Sequence, residues 1–294
     1  MPDTQTPRPL IDWATRAAER YPRLGARVIT PALALEEQTS ADALGIQAGS
    51  LTYGAFLSIP PALLIIGSVL GFVLAGNPEA QARVVDRIAT AIPGLEPFVS
   101  DFLKSAIEGR ASVGLLGLVA LTWTASGFAA RARFALGAIF RTARPGLITG
   151  RIAAIWQGLP VVVGLLASIA AMGIAGGMGL GDASSTAYRV GIEILIVVAS
   201  FVVFLFSYRI LTPGDGPTLR GHVTGALVFT VGFSLARAIG ETYVANVVTR
   251  ATALYGAIGA IFGLLAFLYA TMWLFLLGAE LSRLSAERDA ARER

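Results

Sequence analysis

Long apolar runs separated by short charged segments dominate the chain. Six of these runs are long enough to cross about 30 Å of hydrocarbon as α-helices, which rise about 1.5 Å per residue. They lie near residues 50–75, 112–130, 153–177, 190–211, 221–243 and 256–280. This pattern predicts an all-α, polytopic membrane protein with six transmembrane helices, which together form a transmembrane domain over residues 44–281.

The segment between the first two runs, residues 76–111, is patterned differently. Two stretches within it carry apolar residues at helical spacing. These residues are Val84, Ile88 and Ile92 in the first stretch, and Phe98, Phe102 and Ala106 in the second. We therefore predict two short amphipathic helices in the first extracytoplasmic loop, either on the outer membrane surface or capping the bundle.

Charge predicts the orientation of the helices. Only 14% of the 294 residues are charged, against about 25% in a typical soluble protein, and the mean hydropathy is +0.69. Basic residues concentrate in segment 1–43, between the second and third runs, and in the tail 282–294, whereas segment 76–111 mixes basic with acidic residues. Positive loops face the cytoplasm. Both termini are therefore predicted to be cytoplasmic, with an interfacial helix in segment 1–43 and a charged tail at 282–294.

Neither the ends of the chain nor its pI indicates a further function. Segment 1–43 lacks the short apolar core and cleavage site of a signal peptide, so the first apolar run is predicted to remain as a membrane anchor. The pI near 9.7 follows from basic cytoplasmic loops, and no nucleic-acid partner is predicted.

Few residues suit catalysis or metal binding. The chain has no cysteine and one histidine, His222, which is predicted to be solvated or capping rather than a ligand. Motifs for hydrolases, zinc sites and nucleotide binding are missing from the sequence. We therefore predict no catalytic residue, no metal site and no cofactor, and a protein that is not an enzyme. Glu280 and the pair Arg131 and Arg133 are predicted to be interfacial anchors at cytoplasmic helix ends.

One charge interrupts the fifth apolar run. Arg237 lies in its outer third, Glu241 follows one helical turn later, and Thr230 and Ser234 precede it on roughly the same side. Glu193 enters the fourth run at a comparable depth. A lipid-facing charge costs about 3 kcal/mol or more, so these five residues are predicted to line a polar, partly hydrated, substrate-binding pocket that opens outward. The alternative is structural: Arg237 pairs with a carboxylate, or reaches the headgroups, and only fixes the helices.

Small residues and prolines predict how the helices pack. Glycines spaced by four place small residues on one ridge, which allows close helix contacts and offers a face for homo-oligomers. The spacing occurs at Gly67 and Gly71, Gly221 and Gly225, Gly232 with Ala236 and Gly240, and Gly259 and Gly263. Pro60 and Pro61 predict a kink in the first transmembrane helix.

Four stretches, taken together, resemble the YihY/BrkB family of bacterial inner-membrane proteins. The most specific is "ALYGAIGAIFGLLAFLYATMWLFLLGAEL", residues 253–281. The others, in order, are "SLTYGAFLSIPPALLIIGSVLG", "GLLGLVALTWTASGFAARARFALGAIF" and "SYRILTPGDGPTLRGHVTGALVFTVGFSLA". The likeness extends over roughly residues 40–281, and it departs from the family at Pro60-Pro61, where one proline is usual.

The resemblance implies a six-helix protein of the bacterial cytoplasmic (inner) membrane whose biochemical activity is poorly defined. The family is linked to serum resistance, and one branch is suspected of moving envelope lipid precursors. A ribonuclease label once attached to it is disfavoured, because a nuclease needs a metal-binding or acid–base cluster on an aqueous face.

Two hypotheses follow. The first is a non-ATP-driven transporter or flippase of an anionic or amphiphilic envelope molecule, with membrane lipids as partners. The second is a non-transporting scaffold or assembly protein. A polar cavity lined by Arg237 and Glu193 favours the first hypothesis, and a dry, glycine-packed core favours the second.

Overall fold

A computed structural model describes residues 43–90, 95–142, 186–212, 219–243 and 256–292. These residues form seven α-helices and no strand, which confirms the all-α class for this part of the chain. The helices are α1 (Leu44–Val73), α2 (Pro78–Thr90), α3 (Glu96–Glu108), α4 (Arg110–Ile139), α5 (Thr186–Leu211), α6 (Leu219–Tyr243) and α7 (Gly256–Arg292). The predicted third span, near 153–177, and the N-terminal interfacial helix lie outside the described residues.

The chain divides into two compact units, Met1–Gly45 and Ile46–Arg294. Apart from the first residues of α1, every described helix belongs to the second unit. Glu280 and the tail residues after it continue α7 as far as Arg292, so the predicted charged tail is largely helical.

Four of the described helices are long and apolar enough to cross a membrane. These candidate spans are Leu44–Val73, Arg110–Ile139, Leu219–Ala236 and Ile258–Glu287, and α5 adds the shorter apolar stretch Ser200–Leu211. Large apolar side chains such as Leu116, Trp123 and Phe262 are exposed on their surfaces. Exposed apolar surface on this scale is typical of a lipid-facing bundle. The fold is therefore that of a polytopic membrane protein, while the count of six and the orientation stay predictions.

Two short helices occupy the segment between the first two spans. Val85 and Ala89 of α2 and Val99 and Leu103 of α3 form one buried cluster with Leu63 of α1. Because this cluster buries apolar area, α2 and α3 pack against α1. Their place outside the membrane stays a prediction.

The buried face of α3 differs from the predicted one. Val99, Leu103 and Ala106 are buried, whereas Phe98 is 64% exposed. Both faces of α3 carry apolar residues. Phe98 lies on a face that the protein leaves exposed, and contact of that face with a membrane surface stays a prediction.

Helix α1 runs without interruption through Pro60 and Pro61. It packs antiparallel to α4, with Leu64 against Gly117 and Gly71 against Arg110, and it also contacts α3. The contacts with α3 are close. A Cβ atom on Gly67 would lie 2.5 Å from the Cβ of Ala106 on α3, and one on Gly71 would lie 2.9 Å from the carbonyl oxygen of Ile107 on the same helix. No real Cβ is tolerated at such distances, so the close packing predicted at these two glycines is confirmed. It is not seen at Gly263, where a Cβ would meet nothing within 4 Å.

Helix α4 ends in a Schellman motif whose left-handed residue is an arginine. The Thr142 amide donates to the Gly137 carbonyl at 3.0 Å and the Arg141 amide to the Ala138 carbonyl at 3.3 Å, while Arg141 has φ 54°. Glycine is the usual residue here because a Cβ clashes in this conformation, at a cost of about 1–2 kcal/mol.

We expect Arg141→Gly to raise the free energy of unfolding by about 1 kcal/mol. The measurement is unfolding of the detergent-solubilised protein. Arg141→Ala is the control, because it removes the guanidinium but keeps the Cβ. Equal stability of the two variants would contradict a conformational origin of the gain.

Candidate functional site

Aromatic side chains fill the interface between α5, α6 and α7. The rings of Tyr208 and Phe275 stack with centroids 4.8 Å apart, and those of Phe204 and Phe229 lie 3.7 Å apart. Phe233 continues the cluster toward Phe267 on α7, at 6.2 Å. We call these six residues the aromatic core. Such stacked and tilted ring pairs bury large apolar areas, so this part of the bundle is apolar and closely packed.

The three helices approach most closely where Gly225 of α6 crosses Gly278 of α7. A Cβ on Gly225 would lie 2.6 Å from the Gly278 carbonyl oxygen, and one on Gly278 would lie 2.5 Å from the Tyr208 hydroxyl oxygen. That hydroxyl donates a hydrogen bond of 2.5 Å to the carbonyl oxygen of Phe275. The close packing predicted at Gly225 is therefore confirmed, and it positions α5 against the same crossing.

Polar side chains gather at this end of the bundle, where α4 and α5 end and α6 begins. We give the name polar cluster to five of the buried ones: Arg133, His222, Glu280, Ser282 and Arg283. Ionised side chains are almost never fully buried unless they are paired, so the contacts of each member determine what the cluster can do.

Glu280 and Arg283 form an ion pair inside the cluster. Glu280 is 0% exposed, and Arg283 stands one helical turn later on the same face of α7, where its Nη2 donates to Oε1 of Glu280. The Arg283 Nη1 donates to Oε1 of Glu287 at 3.0 Å, and the Glu287 side chain is 54% exposed. The guanidinium thus joins a buried carboxylate to one at the rim. This arrangement requires α7 to continue past residue 280 as a helix.

The remaining contacts connect the cluster to α4, α5 and α6. Arg133 donates a long hydrogen bond, 3.5 Å, from Nη1 to the carbonyl oxygen of Ile210 near the end of α5. The His222 ring lies edge-on to Phe140, with centroids 6.0 Å apart. Four helices are therefore linked at one end of the bundle.

His222 and Ser282 each bury a polar atom that has no hydrogen-bond partner within the described ranges. These atoms are Nδ1 of His222 and Oγ of Ser282. Ser282 is packed against Gly225, which lies one turn from His222 on α6. Buried polar groups are normally hydrogen-bonded to protein or to ordered water, so these two atoms are exceptions to the usual pattern.

The structure places the predicted substrate-binding residues on two packed helices. Arg237 and Glu241 lie one turn apart on α6, and Glu193 lies on α5, but the side chains of all three are outside what the structure describes. Thr230 is buried, and its hydroxyl donates to the Ala226 carbonyl at 2.7 Å within its own helix. Ser234 is partly buried on the same helix. The pocket itself stays a prediction.

The predictions for Glu280, Arg133 and His222 were wrong. Glu280 and Arg133 are buried instead of anchoring in headgroups, and His222 is buried instead of solvated. Glu280 gave a signal in the sequence, because it follows an apolar run and stands three residues before Arg283. Nothing similar marked Arg133 or His222, since their burial depends on the ends of neighbouring helices.

The surface of the described residues offers one open groove and no metal cluster. No group of three or more histidine and carboxylate side chains in the described ranges could hold a metal. An open groove on α7 is lined by the largely apolar set Tyr269, Ala270, Trp273 and Leu274. It is a lipid-facing feature and includes none of the predicted site residues.

Four of the described helices are apolar and long enough to span a membrane. At one end of the bundle they bury an ion pair and two more titratable side chains. These features define an integral membrane protein with charged residues in its interior. Comparison with known families gives the particular assignment. The chain belongs to the family described as Virulence factor BrkB, whose family model matches residues 37–294.

Several bacterial proteins resemble the chain over most of its length. An uncharacterised protein of Dickeya dadantii is 28% identical over 255 residues, which cover 78% of this chain and 75% of that protein. The inner membrane protein YhjD of Escherichia coli is 23% identical, with coverage of 78% and 73%.

A UPF0761 membrane protein of Methylibium petroleiphilum is 27% identical over 83% of this chain, which spans 59% of that longer protein. No solved structure matches the chain. The names of these relatives identify a membrane protein family and state no reaction or substrate.

Proposed function

We propose that this protein is a non-ATP-driven transporter or flippase of an anionic or amphiphilic molecule of the bacterial envelope, acting in the inner membrane. The observation that carries the proposal is the burial of Arg133, Glu280 and Arg283 within the helix bundle. Ionisable side chains inside membrane bundles are costly, and they characteristically mark substrate or ion pathways.

The two groups of charged residues lie at different depths. Arg237 is about 22 Å along α6 from His222, given the rise per residue of an α-helix. We assign the anionic group of the substrate to Arg237, whose planar guanidinium suits bidentate binding of a phosphate or carboxylate. Glu193 and Glu241 hold that guanidinium, and Thr230 and Ser234 line the approach to it.

The polar cluster has a different role in this proposal. The cluster lies where α4, α5, α6 and α7 meet, and we assign it to holding this end of the bundle together around the aromatic core. The Glu280–Arg283 pair stands within α7, where each side chain neutralises the charge of the other. Arg237 is assigned as the substrate contact.

The scaffold hypothesis has its own supporting observation. The aromatic core is apolar, and the Gly225–Gly278 crossing is tightly packed. A protein that only holds partners together needs this rigidity and needs no binding pocket at Arg237. Charge substitutions at Arg237 separate the two hypotheses.

We expect Arg237→Gln to lose function while the protein still inserts and folds. The double variant with Arg237→Glu and Glu241→Arg restores the ion pair, so it is expected to restore the midpoint of thermal unfolding without restoring function. Function is measured as rescue of the envelope lipid profile of a deletion strain. An intermediate that accumulates in this strain identifies the substrate class.

Arg209→Gln is the matched control, since it removes an exposed arginine from the neighbouring helix α5. It should retain both stability and function. If the charge swap restores stability and function together, Arg237 is a structural strut and the scaffold hypothesis is correct.

A further inference from the structure

Two arginine–aromatic pairs mark opposite ends of the α1–α4 helix pair. The Arg131 Cζ atom lies 5.9 Å from the ring centroid of Tyr53, and the Arg110 Cζ atom lies 5.5 Å from that of Phe72. Both rings belong to α1 and both arginines to α4. An arginine stacked on an aromatic face at about 6 Å is a cation–π contact.

The spacing of the two pairs matches a bilayer. Tyr53 and Phe72 are about 28 Å apart along α1, and Arg110 and Arg131 about 31 Å apart along α4, by the rise per residue of an α-helix. The hydrocarbon core of a bilayer is about 30 Å thick. Aromatic rings and arginines concentrate at the two membrane–water interfaces, so each pair lies at the headgroup level of one leaflet.

Arg131 lies in a small space, which we call its niche, beside Gly54, a residue that has no side chain. A Cβ on Gly54 would lie 2.7 Å from Nη1 of Arg131, so the guanidinium fills the space that any other side chain would occupy. The Tyr53 side of the niche is open, because Tyr53 is 59% exposed. The ion pairs of Arg83 and Arg283, both in the described part of the chain, do not include Arg131.

We propose that Arg131 and Tyr53 bind the phosphate of an anionic phospholipid in the leaflet at that end of α1. A guanidinium at the membrane interface gives two parallel donors to phosphate oxygens, and the tyrosine hydroxyl adds a third. The acyl chains lie along Leu57, one turn further along α1, and Trp123, about two turns back along α4, both exposed. This site does not depend on the transport proposal, and it is tested by a separate experiment.

Lipid retention by the purified protein tests the site. The full chain in detergent is mixed with phosphatidylglycerol or with zwitterionic phosphatidylcholine, and bound lipid is counted by native mass spectrometry. One interfacial arginine contributes about 1 kcal/mol toward an anionic lipid, which corresponds to about a five-fold loss of phosphatidylglycerol retention in Arg131→Gln. Phosphatidylcholine retention should change little, and inorganic phosphate should not compete.

Two further variants make the result specific. Gly54→Ala keeps every charge but pushes the guanidinium out of its niche, so it should also lose phosphatidylglycerol. Arg141→Gln removes an exposed arginine that follows α4 and should retain it. Equal losses in Arg131→Gln and Arg141→Gln, or equal retention of the two lipids by the unaltered protein, would overturn the proposal. Competition by inorganic phosphate would also overturn it and identify an anion site instead.

Discussion

Arg283→Gln is expected to lower the free energy of unfolding by about 3–5 kcal/mol, because it leaves the fully buried Glu280 carboxylate without its cation. The loss should appear in SDS titrations of the purified protein in mixed micelles. Glu280→Gln should cost less, since Arg283 then keeps its 3.0 Å contact with Glu287. The order of the two effects follows from burial, because Glu280 is inside the bundle and Glu287 at its rim.

Glu287→Gln is the matched control on the same helix and the same guanidinium. Its side chain is about half exposed, and exposed ion pairs are worth about 0–1 kcal/mol. Replacing both buried partners, with Glu280→Leu and Arg283→Met, should recover most of the stability, since no buried charge remains. If Arg283→Gln is no more destabilising than Glu287→Gln, the pair is not buried in the folded protein.

Gly278→Ala is expected to be the most damaging single methyl addition in the bundle. The new Cβ would lie 2.5 Å from the Tyr208 hydroxyl oxygen and 2.8 Å from the Gly225 carbonyl oxygen. The backbone oxygen cannot move without separating α6 from α7, so we expect a loss of about 1–3 kcal/mol or more in unfolding free energy. The Tyr208 hydrogen bond to Phe275 should be lost with it.

Gly263→Ala provides the comparison on the same helix. A Cβ at that position meets nothing within 4 Å, and alanine favours helix over glycine by about 0.5–1 kcal/mol. The control variant should therefore be as stable as the unaltered protein or more so. Similar destabilisation by both substitutions would show that glycine at 278 matters for flexibility rather than for close packing.

The spanning helices were predictable because their signal is local. Hydrocarbon thickness and helical rise fix the required length of an apolar run, and α1, α4, α6 and α7 satisfy it. The close contacts at Gly67, Gly71 and Gly225 were predictable for the same reason, since four-residue spacing places small side chains on one ridge.

The polar cluster was not predictable because burial is a property of neighbours. In an apolar transmembrane helix both faces are apolar, so the sequence does not tell a protein-facing side from a lipid-facing one. Glu280 lies on α7, which packs beside α6, and Arg133 donates to a carbonyl near the end of α5, so their burial depends on neighbouring helices. For Arg237, Glu193 and Glu241 the sequence remains the source of the predicted pocket.

The most direct measurement is transbilayer movement of a fluorescent anionic phospholipid in proteoliposomes that contain the purified protein and no ATP. An impermeant quencher reports how much of the lipid reaches the outer leaflet. The unaltered protein and Arg209→Gln should accelerate this movement over protein-free liposomes, and Arg237→Gln should not. If the unaltered protein moves lipid no faster than protein-free liposomes, or if Arg237→Gln is as fast as the unaltered protein, transport through an Arg237 site is contradicted.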